Sequence, residues 1–226
     1  MTFQGYTEGA RSFFMAIRFN NDRAFFQQNR DWYLRDVREP SLALAEALAS
    51  AMERIDPRID ARPNRALSRI NRDVRFSRDK SPYRDHVFIA FRRPCLERGT
   101  TPSFYAEVDV DGVFFGMGFY AQNRPLMDAL RCRMLAAPQE ALSLLAGVEG
   151  AFSMHGECFR RIRVPQELPE ALRGWYIRKS FYFEQALPFS AARSSELPEV
   201  IGAGFARLKP LYDYTIACAD MEEDQP

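Results

Sequence analysis

The sequence predicts an α+β fold in a single domain. A mainly antiparallel central sheet follows an N-terminal helical third, with helices packed on one face and at the ends. Three observations predict it. Apolar residues recur at helical spacing from Thr7 to Ile55, and the pattern changes to strand-like runs after His86. Beyond that, Asp111-Gly112 separates two alternating apolar runs, a strong short-range hairpin signal. At 226 residues the chain is long enough for a sizeable core. No internal repeat, low-complexity tract or long flexible linker divides it. Residues 1–226 therefore read as one domain, with 1–6 and 219–226 expected to fray.

The elements follow in order. Thr7 to Phe19 reads as an amphipathic helix with Phe13, Phe14 and Ile17 inward and Thr7 as N-cap. A second helix runs from about Asp22 to Val37 and buries Phe25, Phe26, Trp32 and Tyr33. Glu39-Pro40-Ser41 is a kink or a fresh start, and Leu44, Leu48, Met52 and Ile55 define a third helix. HVFIAFRR is a buried strand. In the hairpin, a two-residue turn at Asp111-Gly112 sets Val110 against Val113, Val108 against Phe115 and Phe104 against Phe119. That face is apolar and must be covered. On the other face Tyr105, Glu107 and Asp109 lie beside Gly116 and Gly118, which leave open volume or mark a close approach. Two helices follow, ending at Pro138 and near Gly147. GECFRRIRV is a weak strand, PEALRGW a short helix and IRKSFYFEQAL a strand. On that strand Lys179 is either an inward charge protecting an edge or a site residue. A last helix begins after Ser194-Ser195-Glu196 and carries Ile201, Phe205, Leu208, Leu211 and Tyr212.

Between the helical third and the hairpin lies RINRDVRFSRDKSPYRDH, residues 69–86, which fits neither period. It sets six cations, Arg69, Arg72, Arg75, Arg78, Lys80 and Arg84, among Asp73, Asp79 and Asp85, with Phe76 and Tyr83. Such loops carry function more often than scaffolding. Nearly all basic residues are arginine. The lysines are Lys80, Lys179 and Lys209 alone, so each marks a position where a compact ammonium matters or a chance survivor.

Composition narrows the function classes. A formal net charge of +1 disfavours a dedicated nucleic-acid binder. Cys95, Cys132, Cys158 and Cys218 are scattered without CxxC or Cys/His spacing, as expected of reduced thiols in a cytoplasmic protein and not of a zinc site. No apolar run reaches membrane-spanning length, and no nucleotide-loop, zinc-protease or hydrolase motif is present. No metal site and no cofactor are assigned.

The chemistry then divides. Arg69, Arg72, Arg75, Lys80, Tyr83, Arg84 and Tyr105 are the candidate ligand-binding residues for an anionic small molecule, phosphorylated or carboxylated. The competing reading is internal pairing: Arg69 or Arg72 reaches Glu107 and Asp109 while Asp73 holds Arg75, or Arg72 or Arg75 crosses to Glu107 or Asp109. His86, Glu107 and Asp109 are the candidate acid–base residues if the protein is an enzyme. Three functions stay open: an anion-binding domain, a protein-interaction or structural module, and a nucleic-acid contact protein using Phe76 and Tyr83 for stacking.

FNNDRAFFQQNRDWY, LSRINRDVRFSRDKSPYRDH, the hairpin ending FFGMGFY and RKSFYF occur in that order. Together they resemble the bacterial and fungal family filed as domain of unknown function 2461, over nearly the whole chain. Glu107 stands where many members of that family have histidine. The resemblance implies a single full-length domain and an important arginine-rich motif. It implies no activity, cofactor or catalytic residue.

Overall fold

The structure, a computed structural model, describes residues 2–223. It is α+β, with one five-stranded antiparallel sheet among the described residues in the order β1-β2-β3-β5-β4. The strands are β1 Val87–Phe91, β2 Ser103–Val108, β3 Gly112–Phe119, β4 Ser153–His155 and β5 Phe181–Pro188. By contact the chain forms two compact units. The first is Met1–Arg92, Tyr105–Phe115 and Ala186–Ala203; the second is Arg93–Phe104, Gly116–Gln185 and Gly204–Pro226.

In the first unit, helix α1 (Glu8–Phe19) buries Ala10, Phe13, Phe14 and Ile17, the expected stripe. Thr7 occupies the N-cap position, yet its hydroxyl donates to Asp36 (3.4 Å) instead of capping the helix. The expected second helix is interrupted. Helix α2 (Arg23–Gln28) is capped by Asp22, whose carboxylate accepts the Phe25 N–H at 2.8 Å, and α3 (Arg30–Tyr33) follows it. Phe25, Phe26, Trp32 and Tyr33 are half-buried rather than core. Trp32 and Tyr33 pack their rings on Phe13, and the indole donates to the Gly9 carbonyl at 3.0 Å.

The expected break at Glu39-Pro40 is absent. A π turn over Leu34–Arg38 runs directly into α4 (Glu39–Ile55). Pro40 has no N–H to return to the preceding turn, and a widened turn keeps the chain helical at that position. Residues around Phe3 and Tyr6, expected to fray, are packed: both rings are buried, and the Tyr6 hydroxyl lies 2.8 Å from Ser41 Oγ. Burial pushes the Tyr6 hydroxyl well above the ordinary phenol value, against the pull of that hydrogen bond. A short helix α5 (Pro63–Ala66) precedes the arginine-rich stretch.

The hairpin keeps its faces and shifts its turn. The Asp109 N–H donates to the Gly112 carbonyl at 3.0 Å, so Val110 and Asp111 are the loop residues, one step earlier than Asp111-Gly112. Asp109 closes the turn by accepting the Asp111 and Gly112 amides at 2.7 and 2.9 Å. Val108 now faces Val113. Because both strands shift by one residue, the parity survives, and Phe104, Ala106, Val108, Val113, Phe115 and Met117 are all fully buried. The glycines hold no open volume. A Cβ on Gly112 would lie 2.1 Å from the Leu187 carbonyl oxygen, and one on Gly116 would lie 1.8 Å from that of Phe183. Close approach of β5 is what these positions require.

In the second unit, α6 (Arg124–Ala136) and α7 (Pro138–Val148) fall where the periodicity places them. GECFRRIRV is not a regular strand. The edge strand β4 precedes it, and only an isolated bridge joins Cys158 to Arg178. Lys179 accordingly lies just before β5, after helix α8 (Glu170–Tyr176), and not within the strand. A short α9 (Phe189–Ala192) precedes α10 (Leu197–Glu223), which packs Phe205 and Tyr212 against Phe104 at 5.1 and 5.0 Å. The helix continues through 219–223, where fraying was expected, and Asp220 pairs with buried Arg93 at 2.6 Å. The remainder of that expected frayed tail, 224–226, lies outside the described residues, as does Met1. Among the described residues no helix is long and apolar enough to cross a membrane.

Candidate functional site

The arginine-rich stretch is a two-armed loop whose base continues the edge of the sheet without becoming strand. Its arms are tied by Leu67–Ile89 and Asn71–Tyr83 bridges and by Arg72 N–H to Pro82 and Arg84 N–H to Ile70 carbonyl bonds. The base is clamped from the helical third. Asn21 works as a strand surrogate: its amide donates to the Tyr83 carbonyl and accepts the Tyr83 N–H, both at 2.9 Å. The Tyr83 ring, 7 % exposed, stacks on Phe26 at 4.3 Å. Two widely separated motifs, FNND and SPYRDH, are thus one structural device.

The loop tip pairs two of its cations internally. Arg72 pairs with Asp79, and Arg75 makes a bidentate pair with Asp73 (2.6 Å at its closest). Neither crosses to Glu107 or Asp109, so the expected pairing over the hairpin does not occur. The reason is reach: each arginine finds an acid two to seven residues away in its own loop. The hydrogen bond from Arg75 holds the Asp73 carboxyl down to about 2, and Arg72 with Ser81 holds Asp79 lower still. Lys80 is exposed, and its ammonium donates to the Val74 carbonyl at 2.9 Å. Arg69 and Arg78 are exposed cations with no partner among the described residues. Phe76 stands at the tip, 96 % exposed, with the Arg75 guanidinium over its ring at 5.9 Å.

At the foot of the loop the acid–base candidates partly converge. Asp85 accepts from Arg18 Nε at 2.7 Å and lies 3.2 Å from His86 Nδ1, while Glu107 approaches the same nitrogen at 4.0 Å. Partial burial pushes the Asp85 carboxyl up, but the bonds from Arg18 and His86 outweigh it and leave the group below its ordinary value. An imidazole held at Nδ1 by a carboxylate can pass a proton at Nε2, which is the chemistry this foot offers. Asp109 does not join it; its carboxylate is committed to the hairpin turn. Tyr105 is 8 % exposed and stacks on Phe88 at 5.7 Å, so its ring, like that of Tyr83, serves packing. Among the described residues no group of three His, Cys, Asp or Glu side chains is placed to hold a metal ion.

A second constellation lies in the second unit, around residues of which Lys179 alone stands out in the sequence. A cleft of about 440 Å³ is lined by Arg124, Arg131, Arg161, Lys179 and Asp128, with Met127, Phe159 and Ile162 as its apolar wall. Arg131 is its fixed element. Only 7 % exposed, it donates from Nε to the Tyr176 carbonyl at 2.9 Å and from its guanidinium tip to Asp128 at 2.6 Å. Arg131 and Lys179 both lie over Phe159, at 5.3 and 5.7 Å. Arg161 is exposed and has no partner among the described residues. The one signal of this site in the sequence was Lys179, a rare lysine among apolar neighbours.

Comparison with known families settles kinship. The chain matches the conserved hypothetical protein family DUF2461 over residues 10–214. It belongs to that family. No curated protein matches it. The DUF2461 match spans the loop, the His86 foot and the cleft alike, so kinship does not choose among them.

Proposed function

We propose that this protein binds a small anionic molecule, phosphorylated or carboxylated, in the cleft of the second unit and not on the arginine-rich loop. One observation carries the reading. Four cationic side chains, Arg124, Arg131, Arg161 and Lys179, line a cleft with Asp128 as its only lining carboxylate. Small-molecule sites commonly occupy roughly 300–1,000 Å³ with apolar walls and a few placed polar groups. A volume of about 440 Å³ walled by Met127, Phe159 and Ile162 suits that pattern. Burial of Arg131 supports a preorganised floor, since its hydrogen bonds are made before any ligand arrives. On the loop Arg72 and Arg75 each have an acid of their own, whereas in the cleft Arg124 and Arg131 share Asp128. Four free cysteines, three of them exposed, support a reducing cytoplasmic setting for the same protein.

Calorimetric titration with phenyl phosphate and with benzoate tests the proposal. At least one should bind, and Arg161→Gln combined with Lys179→Gln should weaken it about tenfold or more with the unfolding midpoint unchanged. Binding that ignores this pair but is lost in Arg69→Gln with Arg78→Gln would return the site to the loop. A second reading rests on Phe76. An aromatic side chain held 96 % exposed on a self-paired loop favours a protein-contact role for that tip. The His86 foot would supply acid–base chemistry in either case only if a substrate reaches it.

A further inference from the structure

We infer that Glu157 is a tethered stand-in for the ligand's anionic group, and that the group it stands in for is a dianion of the phosphate-monoester class. The inference rests on the cleft being the ligand site, and it adds the charge of the ligand and a built-in competitor. Glu157 belongs to neither wall of the cleft, yet its Oε2 accepts from two lining residues, Gln122 Nε2 at 3.0 Å and Lys179 Nζ at 3.4 Å. Its main chain is pinned alongside: the Lys179 N–H donates to the Glu157 carbonyl at 2.7 Å, next to the Cys158–Arg178 bridge. The carboxylate itself stays 63 % exposed, and its 3.4 Å ion pair with Lys179 is longer than a close charge-assisted bond. A short tether keeps its local concentration high, while exposure and length keep the contact weak enough to give way.

Charge identifies what replaces it. Asp128 is engaged by Arg131 at 2.6 Å and approached by Arg124 at 3.5 Å, so its charge is already spent within the cleft. Lys179 and Arg161 remain, with the surplus of two arginines that share Asp128, and Glu157 supplies a single negative charge to Lys179. A monocarboxylate would only repeat what Glu157 provides. A phosphate monoester, carrying about −1.5 to −2 at neutral pH with three acceptor oxygens, meets both cations and the Gln122 amide. Its organic part would lie on Phe159 and Ile162. Lys179 thus keeps a compact ammonium that exchanges one oxygen partner for another, a task for which a forked guanidinium is less suited.

The experiment compares phenyl phosphate with benzoate by titration calorimetry at pH 7.5, in wild-type protein and in Glu157→Gln. Gln keeps the size and the bond to Gln122 but removes the competing charge. Phenyl phosphate should bind more tightly than benzoate to the wild type. Glu157→Gln should tighten phenyl phosphate by about three- to fivefold, the release expected of one weak exposed ion pair. Glu170→Gln, which removes the same charge from a residue that does not line the cleft, should leave that affinity unchanged. Benzoate binding as tightly as phenyl phosphate, an unchanged or weaker affinity in Glu157→Gln, or an equal gain in Glu170→Gln overturns the inference while leaving an anion site in place. Binding of neither compound to any of the three proteins defeats the underlying reading as well.

Discussion

The arginine-rich loop and the cationic cleft contain similar side chains and solve opposite problems. In the loop three cations meet partners close in sequence: Arg75 with Asp73, Arg72 with Asp79, Lys80 with the Val74 carbonyl. In the cleft Arg131 gathers carbonyls from Tyr176 and Arg178, more than forty residues away, and Arg161 is left without a partner among the described residues. A dense run of charge therefore teaches little about binding, because alternation with acids allows it to close on itself. In the cleft the acids are fewer than the cations they meet: Arg124 and Arg131 share Asp128, and the apolar wall keeps the surplus charge beside a cavity instead of on an open tip.

The sharpest way to break this contrast is at Arg131. Arg131→Met removes a buried charge and strands the Tyr176 and Arg178 carbonyls together with Asp128. A loss of about 3 kcal/mol in denaturant unfolding is expected, since the partners left behind keep their desolvation cost. A loss under about 1 kcal/mol would make the cleft floor no more built than the loop.

A smaller effect is expected at the loop's foot, where Asp85 joins Arg18 and His86. Its carboxyl titrates below the ordinary value of 3.8, so the native state holds fewer protons than the unfolded chain there. Its contribution is fully present above about pH 4 and is lost as pH falls further. With both partners about one-third exposed, roughly 1 kcal/mol is expected after screening. The protection of the Tyr83 amide relative to its intrinsic exchange rate should fall on acidification in the wild type, and that fall should disappear in Asp85→Asn. Identical acid profiles in the two proteins would detach the foot from the loop's stability.

The smallest effects belong to the tip. Arg72→Met and Glu107→Gln should be additive in unfolding free energy within about 0.5 kcal/mol, as expected of groups that do not interact. Arg75→Gln should leave the unfolding midpoint unchanged, since its pair with Asp73 is open to solvent. Strong coupling between Arg72 and Glu107 would show that the loop folds over the hairpin in solution, contrary to the pairing seen here.

Much of the architecture is legible in the sequence, and the exceptions have physical causes. The α1 stripe, the body of α4 and the buried face of the hairpin follow from periods of 3.6 and 2, which depend only on neighbours along the chain. The turn moved by one step because Asp109 closes it with its own carboxylate, and Gly112 is spent on the approach of Leu187 instead. That choice lies in contacts 75 residues apart, where no local pattern reports it. The π turn before Pro40 was likewise hidden, since a proline reads equally as a break and as a tolerated position in a helix.

The candidate sites divide along the same line. By itself the sequence determined the helical third, the hairpin faces, the family and the presence of a basic loop, because each is written in residues that are close together. Which cations gather around one cavity was decided by tertiary structure alone. Electrostatic pairing depends on distance in space, and Arg124, Arg131, Arg161 and Lys179 are brought to one cleft only after α6, the segment before α8 and the approach to β5 have packed.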